Sequence, residues 1–177
     1  LRDNNCRHSE NYRYNLMKIK KVAILGSTGS IGTSTLEVIK KSKPNFSIEL
    51  LTANNNYKKL IKQAKAFKVK NVLIKNKFFY REVKDKLERM GIKVYSGDIP
   101  INKIITKKID YTVSAIVGVA GLQPTIDAIK ISKIVAISNK ESIICGWEVM
   151  SKLVSIYKTK LLPMDSEHFA IMELTKN

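Results

Sequence analysis

A chain of 177 residues is long enough for one full domain with a sizeable core, and a hydrophobic fraction of 44% is ordinary for a globular protein. The net charge of +17 invites a nucleic-acid reading; but the lysines are scattered rather than gathered into a stripe, and with abundant isoleucine and asparagine they have the look of an A/T-biased coding sequence, so a solvated surface with no nucleic-acid partner is expected. No apolar run approaches the roughly 18 residues of a membrane span, and two cysteines without metal-ligand spacing, Cys6 and Cys145, exclude a disulfide framework and make a reducing, cytoplasmic setting the expectation.

Residues 1–17 are polar and charged, show no apolar period, and are read as a disordered or spuriously translated extension. The folded chain is expected from Lys18. Residues 21–25 read as a short apolar strand covered on both faces, and a glycine-rich turn leads into a helix over 31–41, with Ile31, Thr35, Leu36 and Ile39 on one side. A second strand over 48–53 precedes a helix over 57–67, whose Leu60, Ile61, Ala64 and Phe67 fall at helical spacing. A short strand over 71–74 follows, then an amphipathic helix over 78–90 with Val83, Leu87 and Met90 inward and Gly91 as its C-cap, then a strand over 93–95.

The second half repeats the pattern. A strongly apolar strand is expected over 111–117, a turn over 118–121 and a helix over 123–131, with Pro124 tolerated in its first turn. Next come a strand over 134–138, a long helix over 141–157 that buries Ile144, Trp147, Met150, Leu153 and Val154, and a last strand over 161–164. Alternating strands and helices with short connections imply an α/β, Rossmann-like, doubly wound and mostly parallel sheet with helices on both faces. The chain stops within a helix expected from Glu167. Residues 18–164 are therefore read as a dinucleotide-binding domain, and 165–177 as the start of a truncated catalytic domain.

Gly26-Ser27-Thr28-Gly29-Ser30-Ile31-Gly32 is the most informative segment. Gly26 permits a tight turn out of the strand, Gly29 allows backbone to approach a pyrophosphate, and Gly32 lets the helix pack closely. The helix N-terminus offers unpaired N–H groups and a partial positive charge, and the Thr28 and Ser30 hydroxyls add donors. The second strand ends Ala53-Asn54-Asn55-Asn56, with no carboxylate to bind a ribose 2′-hydroxyl or to repel a 2′-phosphate, and Lys58 and Lys59 follow. This favours NADP over NAD.

Two later segments sit where ligands of a parallel sheet bind. In Ser138-Asn139-Lys140-Glu141-Ser142, Lys140 suits a substrate phosphate or oxygen and Glu141 a ribose; a polar helix start reads equally well. In Asp165-Ser166-Glu167-His168, the two carboxylates suit Mg²⁺ or Mn²⁺ and Ser166 suits substrate or a helix cap; a plain capping segment explains the same residues.

Taken together, these motifs and Ala115-Ile116-Val117-Gly118-Val119-Ala120-Gly121-Leu122 occur in the order and spacing of the 1-deoxy-D-xylulose 5-phosphate reductoisomerase family, which the chain resembles from about Lys20 to Met172. The resemblance implies an enzyme that rearranges 1-deoxy-D-xylulose 5-phosphate and reduces the product with NADPH, using a divalent metal and working as a homodimer at full length. It implies that Thr28, Gly29, Ser30, Ile31, Asn139 and Glu141 contact NADPH, as do Asn54, Asn55 and Asn56 of the second-strand loop. It further implies that Lys140, Ser166 and Glu167 contact substrate, with Lys140 and Glu167 catalytic, and that Asp165 and Glu167 bind the metal. The family's second-strand loop usually reads Ala-Gly-Lys-Asn, so a basic residue is replaced at Asn55, and Lys58 or Lys59 would have to substitute. Other NADP-dependent oxidoreductases share parts of the pattern. Semialdehyde dehydrogenases have the glycine loop but need a nucleophilic cysteine, and homoserine dehydrogenases have an Asn-Lys pair; neither accounts for Asp165–His168. The 177 residues alone are expected to lack reductoisomerase activity.

Overall fold

The computed structural model describes residues 19–42 and 45–164. Among the described residues there are seven strands: β1 Lys20–Leu25, β2 Phe46–Ala53, β3 Asn71–Ile74, β4 Lys93–Ser96, β5 Ile109–Ser114, β6 Ser132–Ile137 and β7 Lys160–Pro163. Between them lie α1 Ser30–Lys41, α2 Tyr57–Phe67, α3 Tyr80–Leu87, α4 Ile101–Ile104, α5 Leu122–Ile131 and α6 Lys140–Tyr157. The strands form one sheet in the order β4-β3-β2-β1-β5-β6-β7, with every neighbouring pair parallel. The chain winds outward from β1 to β4, returns to lay β5 beside β1, and winds outward again to β7. The strand order therefore reverses between β1 and β5, where open α/β sheets form a crevice at the strands' C-terminal ends.

Strand alternation splits the core in two. Val22 and Ile24 of β1 face a cluster with Leu36 and Ile39 of α1, Leu60, Ile61 and Ala64 of α2, and Val83 and Leu87 of α3. Ala23 and Leu25 face the opposite cluster, with Ile101 of α4, Ala128 and Ile129 of α5, and Met150 of α6. Both faces of β1 are thus buried by helices, which is why its residues 22–25 are continuously apolar.

The N-terminal ends of the strands are closed by charge pairs. Asp110 at the start of β5 accepts the Lys21 backbone N–H at 2.9 Å and the Lys133 ammonium at 2.8 Å, tying β5 to β1 and β6. The Lys133 hydrogen bond, then that from Lys21, holds the Asp110 carboxyl below the usual carboxylate range. Glu49 of β2 pairs with Lys70 at 2.8 Å.

Several expectations are corrected. The helix expected over 78–90 is interrupted: α3 spans Tyr80–Leu87 between single 3₁₀ turns at Lys77–Phe79 and Glu88–Met90, and Met90 is exposed. Gly91 does cap this segment, at φ +74°. The strand expected over 111–117 starts at Ile109 and ends at Ser114; residues 115–117 leave the sheet, and Val117 is 86% exposed. Helix α4 had no counterpart in the sequence reading; its Ile101 and Ile104 close the core beneath α5.

Candidate functional site

Gly26 ends β1 at φ +79°, and a Cβ there would lie 2.7 Å from the Ala115 carbonyl oxygen, so both its conformation and its neighbour require glycine. A Cβ on Gly32 would come within 2.6 Å of the Ser27 Cα, so this glycine seats the start of α1 closely against the turn itself. At Gly29 a Cβ would meet only the Gly26 carbonyl oxygen, at 3.5 Å, so the outer side of the loop is open. Gly29 is the N-cap of α1, whose first turn carries no acidic residue. The first-turn N–H groups have no intrahelical partner, and the positive end of the helix dipole is left uncompensated. Ser30 and Ile31 are exposed beside this end. Ile31 therefore belongs to the site surface and not, as its spacing suggested, to the core face.

The loop is held from β2 and α2. Thr52 Oγ1 accepts the Gly26 N–H and the Thr52 carbonyl accepts the Ser27 N–H, both at 2.9 Å. The buried Ser27 hydroxyl donates to Gln63 Oε1 at 2.8 Å, and Gln63 Nε2 donates back to the Ser27 carbonyl at 2.8 Å. Lys59 Nζ donates to the Thr28 carbonyl at 3.0 Å. Asn54, Asn55 and Asn56 are exposed at the end of β2. Asn56 Oδ1 caps α2 by accepting the Lys59 N–H at 3.2 Å, and Asn55 Oδ1 accepts from Asn76 Nδ2 at 2.9 Å. Lys58 is exposed, with Nζ 6.0 Å from the Tyr57 ring centroid. Beside β2, a cleft of about 230 Å³ is lined by Thr52, Leu73, Lys75, Ile116, Gln123 and Asp127 among others.

Across the β1–β5 boundary, Asn139 organises the other wall. It is buried; Nδ2 donates to the carbonyls of Ile116 at 2.5 Å and Gly118 at 2.6 Å, while Oδ1 accepts the Ser142 N–H and caps α6. Gly121 makes room for this amide: a Cβ there would lie 2.6 Å from Asn139 Nδ2. Lys140 and Glu141 project from the first turn of α6, both exposed. Further along α6, Met150 is buried as expected, but Ile144 and Trp147 are 69% and 57% exposed, which corrects their assignment to the core. With Ile137, Lys140, Ile143, Leu161 and Pro163 they line an apolar groove instead.

The fold thus gathers 28–31, 54–56 and 139–141 along one edge of the sheet. Asp165, Ser166, Glu167 and His168 lie outside the described residues. Among the described residues no group of three or more His, Cys, Asp or Glu side chains is placed to hold a metal ion. Sequence reasoning missed Thr52 and Gln63. The one signal for Gln63 was an amide beside the inward positions Leu60, Ile61 and Ala64.

The model of the 1-deoxy-D-xylulose 5-phosphate reductoisomerase family matches residues 22–146. The Pelagibacter ubique protein of that name is 51% identical over 161 residues, which are 90% of this chain and 42% of the relative. The solved structure of the Zymomonas mobilis reductoisomerase in complex with NADPH superposes with a TM-score of 0.83 at 36% identity, covering 88% of this chain and 41% of that one. A structure of DOX-P reductoisomerase in complex with NADPH, fosmidomycin and magnesium gives a TM-score of 0.78 at 32% identity, covering 85% and 37%. The chain spans about two fifths of the length of these relatives. By the family match and by identity over nearly all of its folded length, it belongs to the 1-deoxy-D-xylulose 5-phosphate reductoisomerase family.

Proposed function

We propose that the protein rearranges 1-deoxy-D-xylulose 5-phosphate and reduces the product to 2-C-methyl-D-erythritol 4-phosphate, a step of non-mevalonate isoprenoid biosynthesis, and that this chain is its NADPH-binding part. The observation that carries the reading is the 26–32 loop at the β1–β5 reversal, open over Gly29 and leading into a helix N-terminus free of acidic residues. Such a site suits a pyrophosphate. Thr28, Ser30 and Ile31 bind it through backbone N–H groups and the two hydroxyls, and Gly29, having no Cβ, lets it come against the loop backbone. Asn54, Asn55 and Asn56 face the adenosine ribose, where the absence of a carboxylate tolerates a 2′-phosphate and Lys58 adds positive charge. The cleft between Thr52, Leu73 and Gln123 accepts the adenine. On the other wall, Asn139 shapes the 116–118 backbone that lines the dinucleotide, and Glu141 accepts a hydrogen bond from a ribose hydroxyl.

When bound, NADPH supplies the hydride. Lys140, exposed beside this path, places a cation on the substrate. We assign substrate contact also to Ser166 and Glu167, and divalent-metal binding (Mg²⁺ or Mn²⁺) to Asp165 and Glu167, because hard cations take carboxylate oxygens. These three lie outside the described residues. The complete enzyme is proposed to be a cytoplasmic homodimer acting on this sugar phosphate. No described helix is long and apolar enough to cross a membrane.

Calorimetric titration of the 177-residue chain tests the reading: NADPH is expected to bind, and more tightly than NADH. No binding of either would overturn it. In a protein of the relatives' full length, Asp165→Ala is expected to abolish turnover while sparing NADPH binding. Loss of both would make Asp165 structural.

A further inference from the structure

Gln63 is a buried amide on the inner face of α2, 8% exposed, where leucine would satisfy packing. A buried amide is costly unless it is hydrogen-bonded. Both arms of this one reach Ser27, itself fully buried: Oε1 accepts from the hydroxyl and Nε2 donates to the carbonyl. The carbonyl contact matters most. In a planar trans peptide the C=O of one residue and the N–H of the next point in opposite directions. Holding the Ser27 carbonyl toward α2 therefore directs the Thr28 N–H away from α2, toward the open side of the loop. No hydrogen bond engages the Thr28 N–H among the described residues. The following peptide is fixed in the same manner: Lys59 holds the Thr28 carbonyl, and the Gly29 N–H turns inward to the Gly26 carbonyl at 3.1 Å.

We propose that Gln63 is a positioning residue of the cofactor site, aiming the Thr28 N–H at the pyrophosphate of the dinucleotide by gripping the Ser27 carbonyl. The proposal rests on the 26–32 loop being the pyrophosphate site. It also assigns Lys59 to the loop rather than to the 2′-phosphate, which leaves Lys58 as the cation at the Asn55 end.

The test compares Gln63→Leu, Gln63→Glu and Ser27→Ala of this chain, titrated with NADPH, NADH and adenosine 2′-monophosphate, which has no pyrophosphate. Glutamate accepts the Ser27 hydroxyl but has no N–H for the carbonyl. Gln63→Leu and Gln63→Glu are expected to weaken NADPH and NADH by a common factor of about ten, one aimed hydrogen bond, and to leave adenosine 2′-monophosphate unchanged. Ser27→Ala keeps the carbonyl contact and is expected to stay within about threefold of the unaltered chain. Lys59→Met, measured in salt that screens the long-range field, is expected to weaken NADPH and NADH equally. Unchanged NADPH affinity in both Gln63 variants, unfolding of both, an equal loss for adenosine 2′-monophosphate, or a Lys59→Met loss confined to 2′-phosphate ligands would each overturn the proposal. If the unaltered chain binds no dinucleotide, the site reading itself has failed.

Discussion

The two edges of the same sheet are finished in opposite ways. At the N-terminal edge, buried carboxylates are neutralised by lysine: Asp110 by Lys133, Glu49 by Lys70. At the C-terminal edge between β2 and β6, most of the contacts are made by neutral groups, namely Thr52, Ser27, Gln63 and Asn139, which bind backbone, and the Lys59 ammonium there meets a carbonyl rather than a carboxylate. Charge pairs suit an edge that only has to close, because each carboxylate there has a cation and needs nothing from outside. Neutral side chains suit an edge that must leave its own N–H groups and helix dipole available to an anion. Thus some of the abundant lysine meets particular carboxylates, while much of the shaping of the C-terminal edge falls to uncharged residues that charge counting cannot see.

The contrast can be broken from either side. The largest effect is expected at Gly26→Ala, which combines a positive φ with a Cβ against the Ala115 carbonyl; a loss of about 3 kcal/mol of stability should appear as a lowered urea midpoint. Asn139→Ala leaves the Ile116 and Gly118 carbonyls and the Ser142 N–H without their partner, and should cost about 2 kcal/mol by the same measurement. Ser30→Asp is expected to act with opposite signs on fold and function. An acidic residue in the first turn of α1 stabilises the helix by about 0.5 kcal/mol, yet NADPH binding should weaken by at least about tenfold through repulsion of the pyrophosphate. A loss of stability in that variant would show that the α1 terminus is not the uncompensated positive end described here.

At the opposite edge an effect on stability alone is expected. Asp110→Asn should lower stability by about 1 kcal/mol at neutral pH, because its partner Lys133 is largely solvent-exposed. NADPH binding should be unaffected. The sign follows from the depressed carboxyl. Its stabilisation is fully present above the unfolded-state value near pH 4 and disappears as pH falls through the lower folded-state value. Unfolding curves for the unaltered chain and the variant should therefore approach one another progressively as pH falls below about 4.

What could be read from sequence was what is local. The helix at Tyr57–Phe67 has the expected bounds because apolar spacing, an Asn cap and a following strand all agree. The glycine loop could be recognised because each glycine answers a short-range demand. The misplaced elements are those decided by distant neighbours. Ala115, Ile116 and Val117 are as apolar as a strand, yet beyond Ser114 the chain must turn to meet Asn139, far along the sequence. Ile144 and Trp147 have core spacing but face the groove beside β7. The Gln63–Ser27 pair was invisible because nothing within either segment indicates the other, 36 residues away.

The placement of Gly26 has a further consequence for the order in which the molecule can be made. The Ala115 carbonyl lies close against its α-carbon, and β1 can pair with β5 only after the intervening strands and helices have been made. During synthesis the glycine loop and the β2 and α2 groups that hold it emerge well before residue 115, whose backbone closes against Gly26 later. The nascent first half, with one side of β1 unpaired, is a stretch of exposed apolar strand awaiting its partner.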